Sequence, residues 1–190
     1  MSPPKHLFIS YAHLDNQPLP EEPEGWVSRF HTYLENFLEQ NLGEDATVWR
    51  DDRLRGNDAF AEEIVDQFMD TAVLVSVVSP RYSKSEWCTK EVDAFCRAAE
   101  AQGGLSVGNK VRIFKVMRIP VPTEQQLPVM REMLGYEFYV KEGDRVLPLD
   151  PAFGKESGEV YRRRVFLMAQ DIAETLRALQ PSQERAPERL

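Results

Sequence analysis

The chain has 190 residues, a formal net charge of −8 and two cysteines, Cys88 and Cys96. That length suits one domain, and 42% hydrophobic against 28% charged residues suits one sizeable core. The acidic balance argues against broad nucleic-acid binding, two cysteines build no disulfide framework or four-cysteine metal site, and no run approaches the ~18 apolar residues of a membrane span. The start, Met1–Lys5, lacks the apolar stretch of a secretory signal. A soluble, reduced, cytoplasmic protein is expected.

The first apolar run, His6–Ser10, predicts a buried strand, and the proline-rich stretch Ala12–Gly25 a long loop. Trp26, Phe30, Tyr33, Leu34, Phe37 and Leu38 recur at helical spacing, with a stop near Gly43. Ala46–Arg50 predicts a second strand, Asp51–Asn57 a loop, and Phe60, Ile64, Val65, Phe68 and Met69 a second helix. Ala72–Val78 is the most apolar run and suits a central parallel strand covered on both faces. Ser79–Ser85 reads as a loop, Trp87–Ala101 as a helix ended by Gly103-Gly104, and Val111–Met117 as a fourth strand. Thr123–Leu134 is expected to be helical and Tyr136–Val140 to form a fifth strand. Tyr161, Val165, Met168, Ile172, Leu176 and Leu179 mark a last helix, and Pro181–Leu190 reads as a disordered tail or linker beyond a domain spanning residues 1–180.

Strands alternating with helices predict an open parallel sheet with helices on both faces, whose ligands bind beyond the carboxyl ends of the strands. The loops at those ends are Ser10–Gly25, Asp51–Asn57, Ser79–Glu91 and the segment after Met117. Gly104-Leu-Ser106-Val-Gly108 matches G-x-S-x-G, but a helix precedes it and a strand follows, the reverse of a nucleophile elbow. Neither a P-loop nor a G-x-G-x-x-G loop is present. His6, His13 and His31 are scattered, so no metal site is expected. Asp51 and Asp52 would suit a receiver-type phosphoacceptor, but the first strand ends Ser10-Tyr11-Ala12 with no acidic residue before Asp15.

The segment Ser85-Glu86-Trp87-Cys88-Thr89-Lys90-Glu91 is sharper. Trp87 and Glu91 lie four apart on one helix face, in the loop and first turns after the most buried strand. An aromatic surface beside one carboxylate can stack a flat ring and contact ribose hydroxyls. Taken alone, so short a pattern more often marks a Trp packed in the core beside a solvated Glu.

Three segments together resemble a Toll/interleukin-1 receptor (TIR) domain of the kind common in bacterial proteins. They are Phe8-Ile9-Ser10-Tyr11-Ala12 with Asp15, then Val48-Trp49-Arg50-Asp51-Asp52-Arg53-Leu54-Arg55-Gly56, then Ser79-Pro80-Arg81-Tyr82-Ser83 running into Ser85–Glu91. The resemblance implies an α/β flavodoxin-like three-layer fold with a central parallel sheet of about five strands. It implies either an enzyme cleaving NAD+ between nicotinamide and ribose or a non-catalytic scaffold acting by TIR–TIR association. In enzymatic members the Glu of W-x-x-x-E is catalytic, which points to Glu91. NAD+ would be substrate, with no cofactor. Tyr11, Ala12 and His13 would border the nucleotide, Asp51 and Arg53 would lie in the second loop, Ser79 and Ser85 would line the site, and Trp87 would flank the base or nicotinamide. Self-association, and a C-terminal sensing or oligomerising module beyond the tail, are the partners implied.

The chain departs from the family pattern in three places. The loop Asn16–Gly25 is longer and richer in proline than usual. Asp58 follows the second-box glycine where an aromatic is common, the nearest being Phe60. Ala12 stands where some enzymatic members carry a basic residue, leaving His13, Arg53 or Arg55 to meet the pyrophosphate.

Overall fold

The computed structural model describes residues 5–52 and 61–180. In chain order its elements are β1 (Lys5–Ser10), α1 (Trp26–Leu42), β2 (Val48–Trp49), α2 (Ala61–Met69), β3 (Thr71–Val78), α3 (Glu86–Ala101), β4 (Ser106–Val107), β5 (Lys110–Val111), β6 (Ile113–Met117), β7 (Gly135–Glu137), β8 (Tyr139–Glu142), β9 (Arg145–Pro148) and α4 (Lys155–Leu179). Five of the strands form one parallel sheet in the order β2-β1-β3-β6-β7. This is the expected flavodoxin-like α/β fold. The expected tail, Pro181–Leu190, lies outside the described residues.

The pleat of each strand divides its side chains between two cores. Leu7 and Ile9 of β1 and Val73, Val75 and Val77 of β3 pack with α1 and α4. Phe8, Leu74 and Val78 face the opposite side, where Phe68 of α2 and Val92 and Phe95 of α3 cover them. Trp26 anchors the first core, stacked on Phe30 with ring centroids 5.1 Å apart and donating its indole N–H to the Leu149 carbonyl at 2.9 Å.

The long first loop is closed at its base. The Asn16 side-chain oxygen accepts the Ser28 N–H of α1 at 2.8 Å, capping the helix, and its amide donates to the Ser28 hydroxyl at 3.0 Å. Gly25 sits against the Asn16 carbonyl so closely that a Cβ would lie 1.9 Å from that oxygen. At the other end of α1, Gly43 adopts φ +74° and donates its N–H to the Glu39 carbonyl, a left-handed helix stop.

Three expectations need correction. Thr123–Leu134 is not a helix: it holds two short 3-10 turns, Thr123–Gln125 and Pro128–Met130. Pro120, Pro122 and Pro128 remove backbone donors there. The expected strand Val111–Met117 breaks at Arg112, whose N–H goes to the Leu105 carbonyl, and β5 pairs instead with β4. The expected strand Tyr136–Val140 likewise breaks at Phe138: β7 joins the sheet, while β8 pairs with β9 across Gly143-Asp144 in a separate antiparallel hairpin. The last helix begins at Lys155, six residues before its first apolar anchor.

With no helix bridging β6 and β7, a buried lysine holds that connection. Lys115 is 6% exposed and donates from Nζ to Gln126 Oε1 at 3.0 Å and to the Met130 carbonyl at 2.9 Å, while Gln126 donates to the Val121 carbonyl. Lys115→Met would leave buried Gln126 Oε1 without a donor and the Met130 carbonyl with only the Met133 N–H, and should destabilise the domain by about 2 kcal/mol. Urea denaturation checks this, and a loss under about 0.5 kcal/mol would show that the connection needs no such tie.

Candidate functional site

The order of the sheet reverses between β1 and β3, which opens a crevice at their carboxyl ends. The three segments singled out in the sequence converge there. Ser85 starts α3 as its N-cap, its hydroxyl accepting the Cys88 N–H at 3.2 Å. That start places Trp87 and Glu91 on consecutive turns facing the end of β1.

Glu91 is 3% exposed, so the solvated-helix alternative does not hold. Each of its oxygens meets one donor. Trp87 Nε1 donates to Oε1 at 2.9 Å, and the hydroxyl of Ser10, the last residue of β1, lies 2.6 Å from Oε2. Ser10 is in turn 2.9 Å from the hydroxyl of buried Tyr82. Burial pushes the Glu91 pKa up to about 8, Asp51 adds to the rise, and the bonds from Ser10 and Trp87 oppose it. The carboxyl is thus mostly in its acid form at neutral pH, and a cation brought beside it would favour the carboxylate.

A second cluster fixes the loop after β1. The Ser79 hydroxyl donates to buried Asp15 at 2.5 Å and accepts the Tyr82 N–H at 3.0 Å. Arg118, just past β6, donates to the Asp15 carbonyl at 3.0 Å and lies over the Trp26 ring at 5.6 Å. Burial raises the Asp15 pKa against the pull of Ser79 and Arg118. A third cluster fixes the start of the second loop. The Tyr11 hydroxyl donates to Asp52 Oδ1 at 2.8 Å, and Arg50 donates to Asp52 at 2.6 Å and to the Ser28 hydroxyl at 3.1 Å. Arg50 also meets His31 Nδ1 at 2.8 Å, and burial together with that guanidinium lowers the His31 pKa.

The structure therefore brings Trp87 and Glu91 into direct contact and sets Asp51 near enough to act on Glu91. Ala12 packs in the same core as Tyr82 and Cys88. Tyr11 faces the opposite core and touches His13 edge-on at 5.2 Å. The hydroxyls of Ser79 and Ser85 are engaged with Asp15, Tyr82 and Cys88 of the protein itself. Arg53, Arg55, Asp58 and Phe60 lie outside the described residues. Several residues in these clusters had no role assigned from sequence, among them Ser10, Asp15, Tyr82 and Arg118. The first three stand inside the recognised segments, and Arg118 is the first residue beyond the end of a strand, where a ligand-end loop begins. Gly104–Gly108 falls on the β4–β5 hairpin, with Ser106 exposed, which is no strand–turn–helix elbow.

A family model described as TIR domain matches residues 7–107, over half of the chain. The chain belongs to the TIR-domain family. Among solved structures it is similar to the TIR domain of the Toll-related receptor TRR-2 from Hydra magnipapillata, at 19% identity over 86% of this chain and 97% of that one, TM-score 0.43. It is also similar to the TIR domains in the activated Roq1 resistosome that directly recognises the pathogen effector XopQ, at 14% identity over 90% of this chain and 83% of that one, TM-score 0.41. No curated protein matches it. Among the described residues of this TIR domain, no helix is long and apolar enough to cross a membrane and no group of side chains could hold a metal ion.

Proposed function

We propose that this TIR domain cleaves NAD+ at the bond between nicotinamide and ribose, giving nicotinamide and ADP-ribose or a cyclic isomer. The observation that carries the reading is Glu91: a buried carboxyl held from two sides at the carboxyl end of the sheet, with an indole on its flank. The nicotinamide of NAD+ is already cationic and leaves neutral, taking the electron pair of the broken C–N bond, so no general acid is required. Water adds its oxygen to the ribose carbon and loses a proton, or an adenine or ribose atom of the same substrate attacks instead. One carboxylate held against the ribose can stabilise the oxocarbenium-like charge that develops between. The positive substrate itself draws Glu91 into the carboxylate form. In this reading Trp87 flanks the ring, Tyr11, Ala12, His13 and Asp51 border the nucleotide, and Arg53, Ser79 and Ser85 complete the pocket. The second loop of a neighbouring copy completes the site, which makes the domain an assembly-activated immune or stress effector acting in the cytoplasm.

The test is incubation of the purified chain with NAD+ over a wide range of protein concentration, with nicotinamide and the ADP-ribose products followed by mass spectrometry. Nicotinamide should appear, at a rate per molecule that rises with protein concentration. A rate per molecule that is flat would remove the assembly step. No nicotinamide at any concentration would leave the domain a scaffold acting through TIR–TIR association.

A further inference from the structure

Ser28 and His31 lie three apart on one face of α1, and Arg50 reaches both from just beyond β2. Its Nη1 meets His31 Nδ1 at 2.8 Å, its Nη2 donates to the Ser28 hydroxyl at 3.1 Å, and its Nε donates to Asp52 Oδ1 at 2.6 Å. The Ser28 hydroxyl also accepts from the Asn16 amide, and Asp52 Oδ1 also accepts from the Tyr11 hydroxyl. Arg50 therefore joins α1 and the clamp of the first loop to the start of the second loop. We propose that His31 is a proton-operated latch: the neutral ring seats Arg50 against α1 and so ties the base of the second loop to that helix, and a proton taken up by the ring releases it.

The argument is one of donors and acceptors. A guanidinium carries only donors, so its contact with His31 fixes the state of the ring. Nδ1 must accept, which leaves the ring neutral with its hydrogen on Nε2. A proton added at Nδ1 would set an N–H against an N–H and a cation against a cation. The ring must then either refuse the proton or let Arg50 go. These are two sides of one coupling: the factor by which seated Arg50 weakens proton binding is the factor by which the proton weakens the seat. The lowered pKa of His31 agrees in direction, with burial as the larger cause and Arg50 as the next. Asp52 favours the proton, but its Oδ1 is already held by Tyr11 and Arg50. Glu24 just before α1 and Glu35 within it are the other charged groups lining this cleft. Release of Arg50 leaves Ser28 to Asn16 and Asp52 to Tyr11, so each loop base keeps a tie of its own while the link through α1 is broken.

The first measurement is an imidazole NMR titration of the full chain, with the His31 signals assigned by their loss in His31→Gln. The wild-type midpoint should lie below the ordinary 6.5. Arg50→Met should raise it by about one pH unit, a tenfold gain in proton affinity. The second is amide hydrogen exchange over residues 48–52, corrected for the intrinsic effect of pH, at pH 7.5 and at one unit below the wild-type midpoint. Protection should fall about tenfold in the wild type and stay level in His31→Gln, whose carbonyl can accept from Arg50 and has no proton to gain. Asp15 and Glu91 titrate in both proteins and cancel in that comparison. If Arg50→Met does not fold, the exchange comparison decides alone. A wild-type midpoint at or above 6.5, a midpoint unmoved in Arg50→Met, or a protection that holds in the wild type or falls equally in His31→Gln overturns the proposal. No NAD+ is present in either measurement, so the latch and the NAD+ reading stand or fall separately.

Discussion

Glu91→Gln is expected to lower the rate of NAD+ cleavage about a thousandfold or more, the scale of losing one preorganised charge-stabilising group in a buried site. Glutamine keeps the shape of the side chain. Its carbonyl can accept the Trp87 N–H, and its amide can donate to Ser10 much as the acid form of Glu91 does. What it lacks is the ability to become negative beside the departing nicotinamide. The comparison therefore isolates charge from packing. The assay is single-turnover release of nicotinamide at matched, high protein concentration, so that assembly does not limit either protein. Loss within tenfold of wild type would take the anionic role away from Glu91 and send the search to Asp51, whose charge acts on Glu91.

The same substitution should make the domain more stable, and increasingly so as pH rises. The folded-state pKa of Glu91 lies at about 8, above its ordinary value of 4.5. A carboxyl raised in this way costs nothing below the unfolded value, where both states are protonated. Between the two values the unfolded chain releases the proton and the folded one does not. Stability then falls by about 1.4 kcal/mol per pH unit, several kcal/mol in all, and levels off above the folded value. Glu91→Gln has no proton to lose. Its advantage over wild type should be near zero at pH 4.5 and several kcal/mol at pH 8, read from urea denaturation at both pH values. Asp15, also raised by burial, bends both curves alike and cancels in the difference. Parallel stability curves would show that Glu91 is ionised at little cost in the folded protein. A raised carboxyl at this position is the stability a working site gives up.

The parts of the fold that were legible are those where one physical signal dominates. The apolar run Ala72–Val78 had to be an interior strand, and the spacing of Trp26, Phe30 and Leu34 had to be a helix, because each pattern satisfies its backbone and buries its face in only one way. The region from Pro120 to Pro148 was less legible because its structure is held by distant single groups. Lys115 reaches Gln126 and Met130, and the Phe138 N–H reaches the Met117 carbonyl, contacts that leave no periodicity behind. The β8–β9 hairpin did carry a local signal, Gly143-Asp144 between two runs rich in β-formers, which the expected helix–strand alternation overrode. At the site, Trp87 and Glu91 were legible from their spacing and their place after the central strand. Whether Glu91 faced water or protein was not, since that turns on Ser10, eighty-one residues earlier in the chain.

The clamp at the base of the first loop also bears on how such a domain can diversify. Asn16 and Gly25 meet through backbone and side chain, so the stretch between them is bounded by a closure that neither β1 nor α1 has to supply again. The entropy of lengthening a loop whose ends are already pinned grows only with the logarithm of its length. Residues between that clamp can therefore be added, removed or exchanged with little change to the register of β1 or the start of α1, and hence to Ser10 on one side and Trp26 on the other. The proline-rich stretch is an insertion point, where new surface can be acquired a few residues from the crevice without disturbing the carboxyl inside it.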